Sequence, residues 1–403
     1  MIGALGWLLV ALTGPSLIVG ILELAYYPLA LAFEARRRRE PVFDAAVPLI
    51  SIIVPAYNEA RVLANCIDSI LRTGYPRMEV IMVDDGSTDA TFEIMCRYAR
   101  EPGVTVVAQR NAGKAAALNT GIAQSGGEIL FFVDADGVFT DRTISEMLRG
   151  FDRADVGAVC GNDEPVNLDR SQTHLLALLT HGTAFVRRAL ARMGCLSIVS
   201  GNCGAFRRRV LAEIGGFAPG FIGEDLELTW RVHRAGYRVN FAPRAVVYAE
   251  VPSTVAALWK QRVRWTRGHI QTVRLHRDML GRGRFGLVGW YLPVNAFVML
   301  IGPVLQLAAI ALVLGLVAVG EPPVAGDVLS VLAWLGFGAA LLSIGFAVAL
   351  DRAGRDLRYL YVLPVLPLFS VMMSLVTVTA LTAEARGTPA RWNKLARTGV
   401  VSR

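Results

Sequence analysis

Six acids in three short motifs carry the residue types and spacing that chemistry needs: Asp84 and Asp85 in VDDGSTD, Asp134 and Asp136 in VDADG, and Glu224 and Asp225 in GEDLELTW. The motifs sit at predicted strand ends, where ligands collect in α/β sheets. A D-x-D pair in that position can hold a divalent ion that bridges the two phosphates of a nucleotide sugar and neutralises a departing diphosphate. Asp136 is the better metal ligand of the two, with Asp134 nearer the ribose. Taken singly, each motif has a plainer reading: a helix cap or solvated turn for D-x-D, and the first turn of a helix for Glu224 to Glu227, where acids suit the dipole. Their joint presence in one chain argues for a site.

The five histidines and five cysteines form no zinc spacing, so a metal here would be a hard ion on carboxylate oxygens. Cys66, Cys96, Cys160, Cys195 and Cys203 are odd in number and lack a C-x-x-C pair, which points to reduced, buried thiols rather than disulfides. No G-x-G-x-x-G loop is present to compete for a nucleotide. Gln261, Arg264 and Trp265 form Q-x-x-R-W, and steps of three and four residues place them on one side of a helix.

The elements that position these residues are short β-rich runs, residues 49–55, 79–85, 104–110 and 128–136, separated by helix-like stretches. That alternation predicts an α/β domain over residues 45–254. The runs are apolar on both faces, which suits parallel strands covered by helices. Residues 255–287 follow as an amphipathic region: eight Lys or Arg against the single acid Asp278 within residues 255–285, interleaved with Leu258, Trp259, Val263, Trp265, Ile270 and Val273. This reads as a helix at a membrane interface.

Hydrophobic residues make up 54% of the 403, more than a soluble domain of this length needs. Residues 2–33, 291–320, 328–349 and 359–383 are each long and apolar enough to cross a bilayer, giving an N-terminal anchor over residues 1–35 and about three segments over 288–385. Arg36 to Arg39 follow the first run with no convincing cleavage site, so it reads as a retained anchor with the domain on the cytoplasmic side. A basic tail, residues 386–403, closes the chain. Four crossings would leave Arg386, Arg391, Lys394 and Arg397 outside, against the positive-inside tendency, so one run is miscounted; Pro293 with Pro303 and Pro364 with Pro367 mark the two candidates for a broken helix. The pI near 9.5 comes from arginines crowded beside the membrane runs, which suits acidic lipid headgroups rather than nucleic acid.

VPAYNEA, VDDGSTD, GKAAALN, VDADG, SGNCGAFRR, GEDLELTW and QRVRW occur in that order across residues 54–265. Together they resemble the processive family 2 glycosyltransferases, the group of the poly-N-acetylglucosamine, chitin oligosaccharide, hyaluronan and cellulose synthases. The resemblance implies a GT-A, Rossmann-like fold and an inverting displacement dependent on Mg or Mn. It also implies a UDP-sugar donor, a glycan acceptor and export through the membrane helices at the plasma membrane, with an accessory subunit as a further partner. By it, Pro55, Tyr57, Glu59, Asp84 and Asp85 would surround the uridine, and Lys114 would meet the diphosphate as a point charge. Asp225 matches the family's catalytic base, with Glu224 beside it on the acceptor side, either holding Asp225 in place or raising its pKa. Gln261 and Arg264 would contact the diphosphate, and Trp265 would stack under the acceptor sugar. Gly201 and Asn202 belong to the small-residue stretch that lines the family's acceptor site; Arg207 to Arg209 are assigned no role. The plainer readings are strand-end packing for Pro55 and Tyr57 and an interfacial anchor for Trp265. A lipid acceptor taking a single sugar, as in ceramide glucosyltransferases, is the alternative activity, and an inactive membrane scaffold is the alternative class.

Overall fold

The computed structural model describes residues 4–37, 47–320 and 326–389. Arg38 and Arg39 of the orienting cluster, and Arg391, Lys394 and Arg397 of the tail, lie outside the described residues.

One sheet organises the middle of the chain. Its strands are β1 (Ile50–Ala56), β2 (Met78–Asp84), β3 (Val104–Ala108), β4 (Ile129–Phe132), β5 (Val138–Phe139), β6 (Val156–Pro165), β7 (Gly204–Arg207) and β8 (Arg238–Ala249), in the order β3-β2-β1-β4-β7-β6-β8-β5. The four apolar runs become β1 to β4 and pair in parallel. The reason is visible along β1, where Ile53 enters one core with Phe132 and Trp230 while Ile52 and Val54 enter the other with Phe131 and Phe151. A strand covered on both faces needs apolar residues at both parities, and helices on both faces favour parallel crossovers.

The sheet as a whole is mixed, because β7 runs antiparallel to both β4 and β6 and β5 runs antiparallel to β8. One expectation is corrected. The fourth run stops as a strand at Phe132, and Asp134 to Gly137 form a turn in which the Gly137 amide donates to the Asp134 carbonyl at 2.8 Å. Ending the strand early puts both carboxylates of D-x-D in the turn after β4 rather than in the strand.

The apolar runs outside the sheet are helical, with two adjustments. Residues 2–33 are divided by a turn at Leu24 and Ala25 into helices Ala4–Glu23 and Tyr26–Arg37. The run with Pro293 and Pro303 stays continuous: Leu287–Ala296 passes through a π-helical stretch, Phe297–Ile301, into Gly302–Ala318, and the wider turn accommodates the prolines. Gly354–Val365 is a 3-10 segment leading into Leu366–Ala385, so the second proline-bearing run does change helix type. Among the described residues, 287–318 and 354–385 are long and apolar enough to cross a membrane.

Candidate active site

The carboxyl ends of β1, β2 and β4 converge on one rim. Pro55 is buried in the last turn of β1, and Tyr57 just beyond it is 38% exposed. Asn58 takes a left-handed backbone, φ 56°, and its side-chain oxygen accepts from the Thr88 amide at 2.7 Å, which ties the β1 end to the loop after β2. Glu59 donates its amide to Thr91 Oγ1 at 2.8 Å in the same seam.

Asp84 and Asp85 are both buried but do different work. Asp84 accepts from the Ser87 amide at 3.3 Å. Asp85 is turned toward the next loop, where it accepts from Gln109 Nε2 at 2.7 Å and from the Ala112 and Gly113 amides at 2.9 Å. Its carboxylate is therefore occupied in holding residues 109–113, the segment that delivers Lys114 to the first turn of helix Lys114–Gln124.

Lys114 is the electrostatic centre of the site. Its Nζ lies 2.6 Å from Asp134 Oδ1 and 3.6 Å from Glu224 Oε1. Burial pulls the ammonium toward neutrality, but Asp134 and Glu224 outweigh it and hold the lysine pKa above its ordinary value. Glu224 is itself raised by burial, with Asp225 adding to the shift and Lys114 and Arg264 opposing it.

Gly201 explains how these groups approach one another. A β-carbon there would stand 3.2 Å from Lys114 Nζ and 3.4 Å from Asp225 Oδ2, so the bare backbone of Gly201 borders cation and carboxylate at once. The Gly201 amide donates to Asp225 Oδ2 at 3.2 Å, while Asp225 Oδ1 accepts its own neighbour's amide, Leu226, at 2.8 Å. Asn202 Oδ1 accepts from the Asp134 amide at 3.1 Å, locking the same loop to the D-x-D turn. Asp136 is 6% exposed and accepts from the Glu250 amide at 3.3 Å.

Helix Val255–Leu275 carries Q-x-x-R-W to this rim. It is capped by Thr254, whose hydroxyl accepts from the Ala257 amide at 3.2 Å. Gly268 meets Gly223 backbone to backbone: a β-carbon on Gly268 would lie 2.8 Å from Gly223 Cα. That contact sets the helix against the residue preceding Glu224 and brings Arg264 within electrostatic reach of Glu224. Gln261 and Arg264 are half-buried, and Trp265 is 47% exposed. The other flank is anchored by Arg267 Nε to Glu384 Oε1 at 2.6 Å, on helix Leu366–Ala385.

The structure thus gathers Lys114, Asp134, Gly201, Asn202, Glu224, Asp225 and Arg264 into one cluster, with Asp136 at its turn and Asp84 and Tyr57 on the adjoining rim. It also adds two residues that no motif contains. Asp163, near the end of β6, is raised by burial and held by Ser200 and Asn202, and Arg187 Nη1 stands 3.8 Å from its Oδ2. Their one trace in the sequence is an acid that interrupts an apolar strand.

Among the described residues no three His, Cys, Asp or Glu side chains surround a common point; the carboxylates of Asp134 and Asp136 are the oxygen donors of the kind a hard divalent ion takes.

Comparison with known proteins agrees with the fold. The family model described as Glycosyltransferase like family 2 matches residues 48–268, more than half of the chain. Over 225 residues the chain is 33% identical to the poly-beta-1,6-N-acetyl-D-glucosamine synthase of Staphylococcus epidermidis. It is 31% identical over the same length to that of Staphylococcus aureus strain COL. Each alignment takes in 54% of this chain and 54% of the relative, so the chain spans about half the length of the curated relatives it matches. Among solved structures, the mannosyltransferase PcManGT from Pyrobaculum calidifontis, in complex with GDP-Man and Mn2+, superposes with a TM-score of 0.66 and 25% identity, covering 95% of this chain and 99% of that one. The architecture is a GT-A-like α/β fold with a mixed sheet.

Proposed function

We propose that this chain, which belongs to glycosyltransferase family 2, moves a hexose from a UDP-sugar, N-acetylglucosamine in the leading case, onto the end of a glycan, with inversion and repeated addition. The observation that carries the reading is the Gly201 crossing, which sets the Asp225 carboxylate next to the Lys114–Asp134 pair. A base for the acceptor hydroxyl and a cation for the donor diphosphate then border the same glycine.

In this reading Asp225 takes the proton from the attacking hydroxyl, and Lys114 and Arg264 face the diphosphate with Gln261. Asp84, Tyr57, Pro55 and Glu59 form the nucleoside rim, and Asp85 keeps the Lys114 loop in place. Gly201, Asn202 and Glu224 border the acceptor, with Trp265 under its sugar ring. Asp136 would hold a Mg or Mn ion, which would supply charge neutralisation for the departing diphosphate.

The domain limits follow: an N-terminal anchor over 1–35, catalysis over 45–254, the interfacial region over 255–287, and membrane segments within 288–385. The catalytic domain faces the cytoplasm, and the glycan leaves through the helices, with or without an accessory subunit.

Whole-chain likeness to a GDP-Man-bound mannosyltransferase favours a second donor, GDP-mannose. Purified protein is therefore incubated with individual UDP-sugars and with GDP-mannose, each with Mn or Mg, and the products are weighed by mass spectrometry. A ladder of N-acetylhexosamine supports the synthase; one sugar on a lipid supports the single-addition alternative; no nucleotide release from any donor defeats the enzyme reading.

A further inference from the structure

Arg262, inside Q-R-V-R-W but outside its Q-x-x-R-W pattern, is placed unlike its neighbours. It lies on the helix between Gln261 and Arg264, yet its guanidinium carbon sits 4.3 Å from the centroid of the Trp265 ring. Its Nε is buried and has no hydrogen-bond partner. Among the described residues no carboxylate compensates it, and burial alone pushes its pKa down to about 10. A buried polar atom left without a partner calls for a reason, and the ring is what this guanidinium touches.

A stacked guanidinium covers one face of an indole. With one face covered and the side chain still 47% exposed, the ring has a single face left for a ligand. The three-residue step on the helix makes this a local constraint: Arg262 and Trp265 share a side, so the guanidinium limits ring rotation without help from another element.

We propose that Arg262 is a positioning residue for the acceptor: it backs Trp265 and fixes which face, and at what tilt, the ring offers to the incoming sugar. This rests on the reading of Trp265 as the acceptor platform. Arg262 acts through the ring and touches no reacting atom.

The test compares wild type, Arg262→Lys and Arg262→Gln in steady-state transfer to an N-acetylglucosamine oligosaccharide, with acceptor and donor varied separately. Losing the stack raises acceptor KM about tenfold in R262Q, the size of one cation–π contact, and changes donor KM and kcat much less. R262K keeps the charge but not the planar stack and recovers part of the loss. Tryptophan emission, taken as the difference from a Trp265→Phe background, shifts in R262Q in step with KM. Wild-type acceptor KM in both variants overturns the proposal, as does a parallel fall of kcat with unchanged KM. If the unmodified chain transfers no sugar at all, it is the functional reading that fails.

Discussion

Lys114 Nζ and Asp134 Oδ1 meet at 2.6 Å, so the first carboxylate of D-x-D is ion-paired to a lysine delivered by a different strand's loop. Asp134 is accordingly committed to a cation already in the protein. The same lysine also faces Glu224 at 3.6 Å, and one ammonium thus balances two acids from separate elements.

Replacing Lys114 by Met removes that balance and a charge-assisted contact to the diphosphate. Such contacts are worth about 1.5–3 kcal/mol, so donor KM should rise roughly 10- to 100-fold. Titration of UDP by calorimetry checks it, and an unchanged affinity would remove Lys114 from the donor site.

Asp225→Asn keeps the size of the side chain and one of its two amide contacts, to Gly201 or to Leu226, but cannot take a proton. Transfer should fall by about 10² to 10⁴ while UDP binding stays near wild type. Single-turnover rates with saturating donor measure this; wild-type turnover in the variant would exclude Asp225 as the base.

A buried ionic cluster joins helix Tyr26–Arg37, helix Ser171–Met193, the helix ending at Asp351 and the 3-10 segment Gly354–Val365. Arg188 Nε bonds Glu34 Oε1 at 2.9 Å and its Nη2 bonds Asp351 Oδ1 at 2.6 Å. His181 bridges Asp351 at 2.6 Å and Asp356 at 3.2 Å. Burial works against the imidazolium, but the two aspartates outweigh it and raise the His181 pKa to about 9. A folded pKa above the unfolded value of about 6.5 means the stabilisation is complete below that pH and is lost as pH climbs through about 9. Melting temperature should therefore decline between pH 7 and pH 9.5, and His181→Gln should flatten the decline. Arg188→Met takes one of two cations from Glu34, which keeps Arg37, and from Asp351, which keeps His181, so it should cost less than the ~3–5 kcal/mol of a buried charge left wholly unpaired.

Cys96, on helix Thr91–Tyr98, is exposed, whereas Cys66, Cys160, Cys195 and Cys203 are buried, a partial departure from the expectation that all five thiols are hidden. It is a ready reporter of sidedness. A membrane-impermeant maleimide should label Cys96 in inverted vesicles and leave it untouched in intact cells; the reverse pattern would overturn the cytoplasmic placement.

The parallel half of the sheet was legible because its physics is local. An apolar run of strand length that ends in acids needs only the two-residue alternation of β structure and helices on both faces to place it, and β1 to β4 follow from that. The candidate site was legible to the same extent: Asp84, Asp134, Asp136, Glu224 and Asp225 stand at element ends, where a short polar motif after an apolar stretch is conspicuous. Antiparallel β7 was not, since four residues carry too little periodicity to show direction. The work of Asp85 was hidden too, because adjacent acids look alike until one finds its hydrogen-bond donors in another loop. Asp163 with Arg187, Glu34 with Arg188, and the Gly223–Gly268 contact pair residues far apart in the chain. Such pairings depend on how helices settle across the sheet, and that is decided by the packing of the whole core, which no window of sequence contains. The sequence alone determined which residues could do chemistry; tertiary packing decided which of them meet.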